Sequence, residues 1–189
     1  QAVNLLSPIL VIPYIISICG EDGLGKIGVS FSISLILCGI VDYGSYIRGV
    51  KDISLNRDNK VYLSEKIKAI YFSKFFLLVI ICSLYIFSVF FIPYFKDEKP
   101  LFIYSLLIVI AQFINPAWFF QGTENFKWLA FINIVSKLIY VILIFLIIKN
   151  NGDYIYANLF FGVGALTANT FGALYIGLKY NIKHLAMRP

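Results

Sequence analysis

Lys137 stands in the middle of LAFINIVSKLIYVILIFLII, residues 129–148, where almost every neighbour is apolar. Asn133, Ser136, Lys137 and Tyr140 recur at i, i+3, i+4 and i+7, so one amide, two hydroxyls and one ammonium share a single face of a helix. An ammonium is a point charge for phosphate or carboxylate, and the amide and hydroxyls are hydrogen-bonding groups for sugar hydroxyls. Lys137 lies about eight residues, or roughly 12 Å, inside the end of this helix. Placing a cation that deep in lipid costs on the order of 3 kcal/mol, so it must face a partner or a water-filled cavity.

Other apolar runs carry polar faces of the same kind. Asn158, Gly162, Ala165, Asn169 and Gly172 fall along one line, and Gln112, Asn115 and Pro116 along another. Ser34, Cys38, Asp42 and Ser45 align on a third run; Lys74, Tyr85 and Ser88 share a fourth, and Asn4, Ser7 and Tyr14 a fifth. Small residues alone would serve close packing of helices. The charges ask for more. Lys74 and Asp42 each lie about five residues in from a helix end; Lys74 could snorkel to the interface, pair with Asp42 or meet a substrate, and Asp42 could instead be held by Arg48. Pro116 frees a backbone carbonyl inside the membrane, as a packed helix-end kink or as part of a substrate contact.

Metal and nucleophile chemistry are poorly supplied. Cys19, Cys38 and Cys82 lack metal-ligand spacing and read as small hydrophobes, and His184 is the one histidine. No metal site, cofactor or catalytic group is nominated, and the chain is read as a non-enzyme. EDGLGKIG, residues 21–28, lacks the order of a phosphate-binding loop and reads as an external connection.

These side chains need membrane-spanning helices to hold them. Of 189 residues 60% are hydrophobic, 17% aromatic and only 14% charged, and the mean hydropathy is +0.83. Six runs, at about 3–19, 27–47, 69–92, 101–120, 129–148 and 154–178, are long enough to cross a hydrocarbon core of roughly 30 Å. The fold class expected is all-α, a polytopic membrane protein of six helices. The longest linker is 48–68, there is no second soluble domain, and the first helix, starting at Gln1, is expected to have lost its amino-terminal end. Basic residues set the orientation. Arg48, Lys51, Arg57, Lys60, Lys66, Lys68, Lys127, Lys179, Lys183 and Arg188 fall on one side, against Lys26, Lys96, Lys99 and Lys149 on the other. Both ends should be cytoplasmic, and the net charge of +6 is a topology signal that also suits anionic lipid headgroups, not nucleic acid. Trp118, Phe119 and Phe120 then fall at the cytoplasmic interface, where aromatic rings are favoured, with Gln121 onward in water.

PAWFFQGTE, residues 116–124, carries a family resemblance. With Pro13-Tyr14, a glycine some six residues on and a second glycine after the loop in VIPYIISICGEDGLGKIG, and with Asp42-Tyr43-Gly44, the chain resembles the amino-terminal half of Wzx-type polysaccharide flippases, the O-antigen and capsule repeat-unit transporters of the multidrug/oligosaccharidyl-lipid/polysaccharide exporter superfamily. Pro116, Trp118, Phe119, Phe120, Gln121, Gly122 and Glu124 are the most specific part of the match. One departure is an outer-side arginine of the family pattern, whose place falls near Ser17. The resemblance implies one six-helix lobe (residues 1–189) of a two-lobed transporter, with the carboxy-terminal lobe absent, in the bacterial inner membrane. Its implied substrate is an undecaprenyl-pyrophosphate-linked oligosaccharide, and its implied partners are membrane lipid, a polysaccharide polymerase and chain-length proteins. Lys137 and Lys74 would meet the anionic groups, Asn115, Asn133, Asn158 and Asn169 the sugar hydroxyls, and Asp42 is an ion-pair or coupling candidate. Rival readings are a peptidoglycan-precursor flippase, a multidrug or cation antiporter, and a non-transporting scaffold subunit.

Overall fold

In the computed structural model, residues 2–179 are described, and their regular structure is helical: α1 (Ala2–Asp42), α2 (Ser45–Leu55), α3 (Lys60–Phe91), α4 (Lys99–Ile114), α5 (Ala117–Gly122), α6 (Phe126–Ile147) and α7 (Ala157–Lys179). Two 3-10 turns, Pro93–Phe95 and Asn151–Tyr156, lead into α4 and α7. Lys183, His184 and Arg188 lie outside the described residues.

Five helices are long and apolar enough to cross a membrane. The first of these spans, Ser7–Asp42, has 36 residues, close to twice the roughly 20 that one crossing needs. Gly20 divides it: at φ 73° and ψ 175° its backbone is non-helical and in a region that side chains disfavour. Val11, Ile15 and Cys19 before the break pack in one cluster with Ile27 after it, so α1 folds back on itself and the chain has the length for six passes. The stretch 21–28, expected as a loop, is instead the helical start of the second arm, where Asp22 and Lys26 pair at 2.9 Å across one turn.

Hydrogen bonds between distant residues order the bundle. At one end Tyr14 donates to the Ile148 carbonyl (2.9 Å), while Lys26 reaches Glu98 (2.9 Å) and Tyr154 donates to the same carboxylate (2.8 Å). At the other end Tyr71 donates to the Ile114 carbonyl (3.1 Å), and Lys66 pairs with Asp52 at 2.6 Å. The second arm of α1, α4 and α7 run parallel through the middle: Asn158 joins Ile27, Ser30 and Ser105, and Asn169 donates to the Ala111 carbonyl at 2.8 Å. Half of the most apolar stretch of 99–122 is buried, against 11% for α6, so α4 sits deepest in the bundle and α6 at its edge. Large apolar side chains such as Phe72, Phe76, Phe87 and Phe91 stand exposed along α3, an apolar belt of the kind that a bilayer or a packed partner element covers.

Glycines set how closely the helices approach. A Cβ at Gly162 would stand 2.8 Å from Leu107 Cβ on α4, and one at Gly164 would collide with the Ser136 carbonyl oxygen on α6. Gly162 lies on the expected small-residue line, whereas Gly164 belongs to a second line with Ala168 that faces α6.

Three boundaries differ from expectation. The second pass ends at Asp42, because Tyr43 and Gly44 adopt positive φ (38° and 72°) and turn the chain out of the helix. The expected linker 48–68 is largely helical, as amphipathic α2 and the first turns of α3, the latter capped by Asn59, which accepts from the Tyr62 amide at 3.0 Å. The run 101–120 breaks at Asn115, whose ψ of 112° precedes Pro116 as a residue before proline tends to.

Candidate functional site

The break at Asn115 ends the membrane part of α4 and releases the short α5, which carries WFFQG. Asn115 stabilises the break itself: its Oδ1 accepts from the Ala117 amide at 2.9 Å and its Nδ2 donates to Gln112 Oε1 at 3.0 Å. Trp118, Phe119 and Phe120, read from the sequence as interfacial rings, are packed inside the protein and not presented on its surface. All three are buried, at 1%, 2% and 1% exposure, in a cluster with Ile53, Leu63, Ile67, Ile70, Ile132 and Ile176. The amphipathic α2 covers that cluster from the loop side. The polar residues of the motif hold it there: Gln121 accepts from the Tyr46 hydroxyl, and Glu124 pairs with Arg57 at 2.6 Å. Arg57 beside it holds the Glu124 carboxyl below its usual range. Gly122 lets α2 lie against α5, since a Cβ there would come within 2.7 Å of Ile53 Cβ. Pro116, buried, leans on Gly172 of α7.

Above this platform lies a cleft of about 550 Å³ between the second arm of α1, α4, α6 and α7. Its polar lining is Asp42, Tyr46, Gln112, Asn115, Asn133, Ser136, Lys137 and Asn169. Seven polar residues named from the sequence therefore meet in one place: Asp42, Gln112, Asn115, Asn133, Ser136, Lys137 and Asn169. Lys74 stands behind them, its side chain only 1% exposed, with Nζ 2.9 Å from Asp42 Oδ1 and 3.5 Å from the Gln112 carbonyl. Asp42 is held further by the Tyr46 amide, which donates to Oδ2 at 3.1 Å. Asn158 is elsewhere. Its amide is committed to the Ile27 carbonyl (3.1 Å), Ser30 Oγ (2.6 Å) and Ser105 Oγ (3.1 Å), a knot between helices at the far end of the bundle.

Lys137 is in a different condition from Lys74. Its Nζ lies 4.0 Å from the centre of the Phe161 ring, and among the described residues it has no ion-pair partner. With Asp42 answered by Lys74, the charge left facing the cleft is that of Lys137. Amides surround it: Asn133 spends its Nδ2 on the Leu129 carbonyl (3.0 Å) and Asn169 its Nδ2 on that of Ala111 (2.8 Å), which leaves their Oδ1 atoms as acceptors for hydroxyl donors. Tyr46 and Phe161 were not selected from the sequence. Tyr46 belongs to a segment read as linker, and an aromatic ring in an apolar run gives no sign that it will sit under a cation.

A second, smaller cavity of about 210 Å³ adjoins the first. It lies in the fold of α1, between Val11, Ile12 and Ile15 on one arm and Ile27, Gly28 and Phe31 on the other, and Lys137 and Phe161 line both cavities. A surface hollow of about 600 Å³ around Arg57, Glu124 and Lys127 lies outside the platform at the loop end and shares no lining residue with the cleft.

These features define a polytopic helical membrane protein with a polar cleft between its helices. The chain belongs to the family described as Polysaccharide biosynthesis protein, which it matches over residues 1–188. It is similar to the "Putative O-antigen transporter" of Escherichia coli (strain K12), 27% identical over 153 residues that cover 81% of this chain. The chain spans only 37% of the length of that relative. No solved structure matches the chain.

Proposed function

We propose that this chain forms the cleft-bearing part of a flippase that moves undecaprenyl-pyrophosphate-linked oligosaccharide repeat units across the bacterial inner membrane, for O-antigen or capsular polysaccharide. The observation that carries the reading is the charge arrangement in the cleft: Asp42 is neutralised by Lys74, and Lys137 faces the space with amides around it. Such a lining attracts pyrophosphate or acidic sugars and hydrogen-bonds hydroxyls. An exporter of organic cations would need the opposite, an unpaired carboxylate at membrane depth. The role is transport and not catalysis. The basic residues of α2, α3 and the α5–α6 connection support a cytoplasmic location for that end of the bundle, and on this reading substrate enters from the platform side. A strain lacking the gene should accumulate lipid-linked sugar on the cytoplasmic face of the inner membrane, and the intact gene should clear it. Unchanged accumulation with and without the gene would refute the assignment.

A further inference from the structure

We propose that the 210 Å³ cavity in the fold of α1 binds the head-proximal hydrocarbon of the lipid carrier whose phosphate sits at Lys137. The inference rests on the reading of Lys137 as the anion-facing group and adds to it where the chain goes. Three observations carry it. The cavity is lined mainly by aliphatic and aromatic side chains and exceeds the roughly 150 Å³ that, in a dry apolar cavity, suffices for a benzene-sized guest. It shares Lys137 and Phe161 with the polar cleft, so one ligand with a charged head and an apolar chain can occupy both spaces at once, with the ammonium at the junction. Its polar boundary is small: Ser7, Lys137, Tyr140 and Asn158, the last with its Nδ2 committed to Ile27, Ser30 and Ser105. A water-filled extension of the cleft would instead be expected to carry as large a share of polar lining as the cleft does.

Gly28 offers a clean test, because it lines the cavity and a Cβ built there meets nothing within 4 Å. Gly28→Leu fills the space without displacing backbone and raises helix propensity. The probes are farnesyl pyrophosphate and inorganic pyrophosphate, measured by equilibrium binding to the complete gene product in nanodiscs with empty nanodiscs subtracted. Wild type should bind the farnesyl compound at least about tenfold more tightly, the worth of burying roughly two methylene groups. Gly28→Leu should lose that advantage and bind inorganic pyrophosphate unchanged. Equal affinity of wild type for the two probes, or an undiminished advantage in Gly28→Leu, would overturn the proposal. So would displacement of the farnesyl probe by phosphatidylglycerol at equal mole fraction, which would make the cavity an ordinary acyl-chain site. Failure of the anion reading is separately visible, as pyrophosphate binding that survives Lys137→Ala.

Discussion

The two intramembrane lysines show how position decides the role of a residue type. Lys74 and Asp42 form a buried pair at 2.9 Å, and removing either partner strands the other charge, at a cost of about 3–5 kcal/mol. Lys74→Met and Asp42→Asn should therefore each lower the thermal stability of the solubilised protein markedly, whereas the double variant should recover most of the loss. Additive losses in the double variant would mean that the two groups act independently. Lys137 predicts the reverse behaviour, because it has no carboxylate to strand: its removal should leave stability intact and act on transport. The stripe of Asn133, Ser136 and Lys137 was legible in the sequence, since a polar face on an apolar helix must point at something polar. That Tyr140 leaves this company for the second cavity, and that Asn158 is spent on knotting three helices, was not legible, because helical spacing gives direction and not distance along the bundle.

At the scale of elements, the aromatic motif was found for one reason and works by another. Trp118, Phe119 and Phe120 read as interfacial rings because they end an apolar run beside polar residues. The sequence could not show that α2 returns over them, since a short amphipathic helix within a basic connection resembles a linker. Phe119→Ala should consequently cost about 3–5 kcal/mol, as for a buried ring, and be visible as a lowered melting temperature. Gly122→Val should push Ile53, and α2 with it, off α5, and a lengthened electron spin–spin distance between labels on α2 and α5 would report it. Because the Glu124 carboxyl is held low by Arg57, that distance should be constant from neutral pH down and lengthen only as pH falls through the depressed value. Among the glycines, Gly164→Ala should destabilise by about 1–3 kcal/mol through overpacking against Ser136, while Gly25→Ala, facing open space, should not.

The whole molecule has two unlike ends. One is tied by Lys26, Glu98 and Tyr154, and the other by α2, α5 and the basic residues around them. Cysteines placed at Lys96 and Lys127 in a cysteine-free background should differ: an impermeant maleimide applied to intact cells should label position 96 and not 127, and labelling at 127 would invert the topology. Six passes and the reversal between the first two were countable from hydropathy, but the helical continuation through EDGLGKIG after Gly20 was not, because that stretch has too few apolar residues for a membrane helix to be seen. The cleft exists only because that fold brings the second arm of α1 beside α4 and α7, with Lys137 across from Asp42 and the platform of α5 below. The claim that this cleft receives an anionic glycan carrier is most directly tested by flipping in a deletion strain complemented with Lys137→Ala or Lys137→Arg at matched membrane abundance. The account predicts that cytoplasm-facing lipid-linked sugar accumulates with Lys137→Ala and is partly cleared with Lys137→Arg. Full clearance by Lys137→Ala would contradict it.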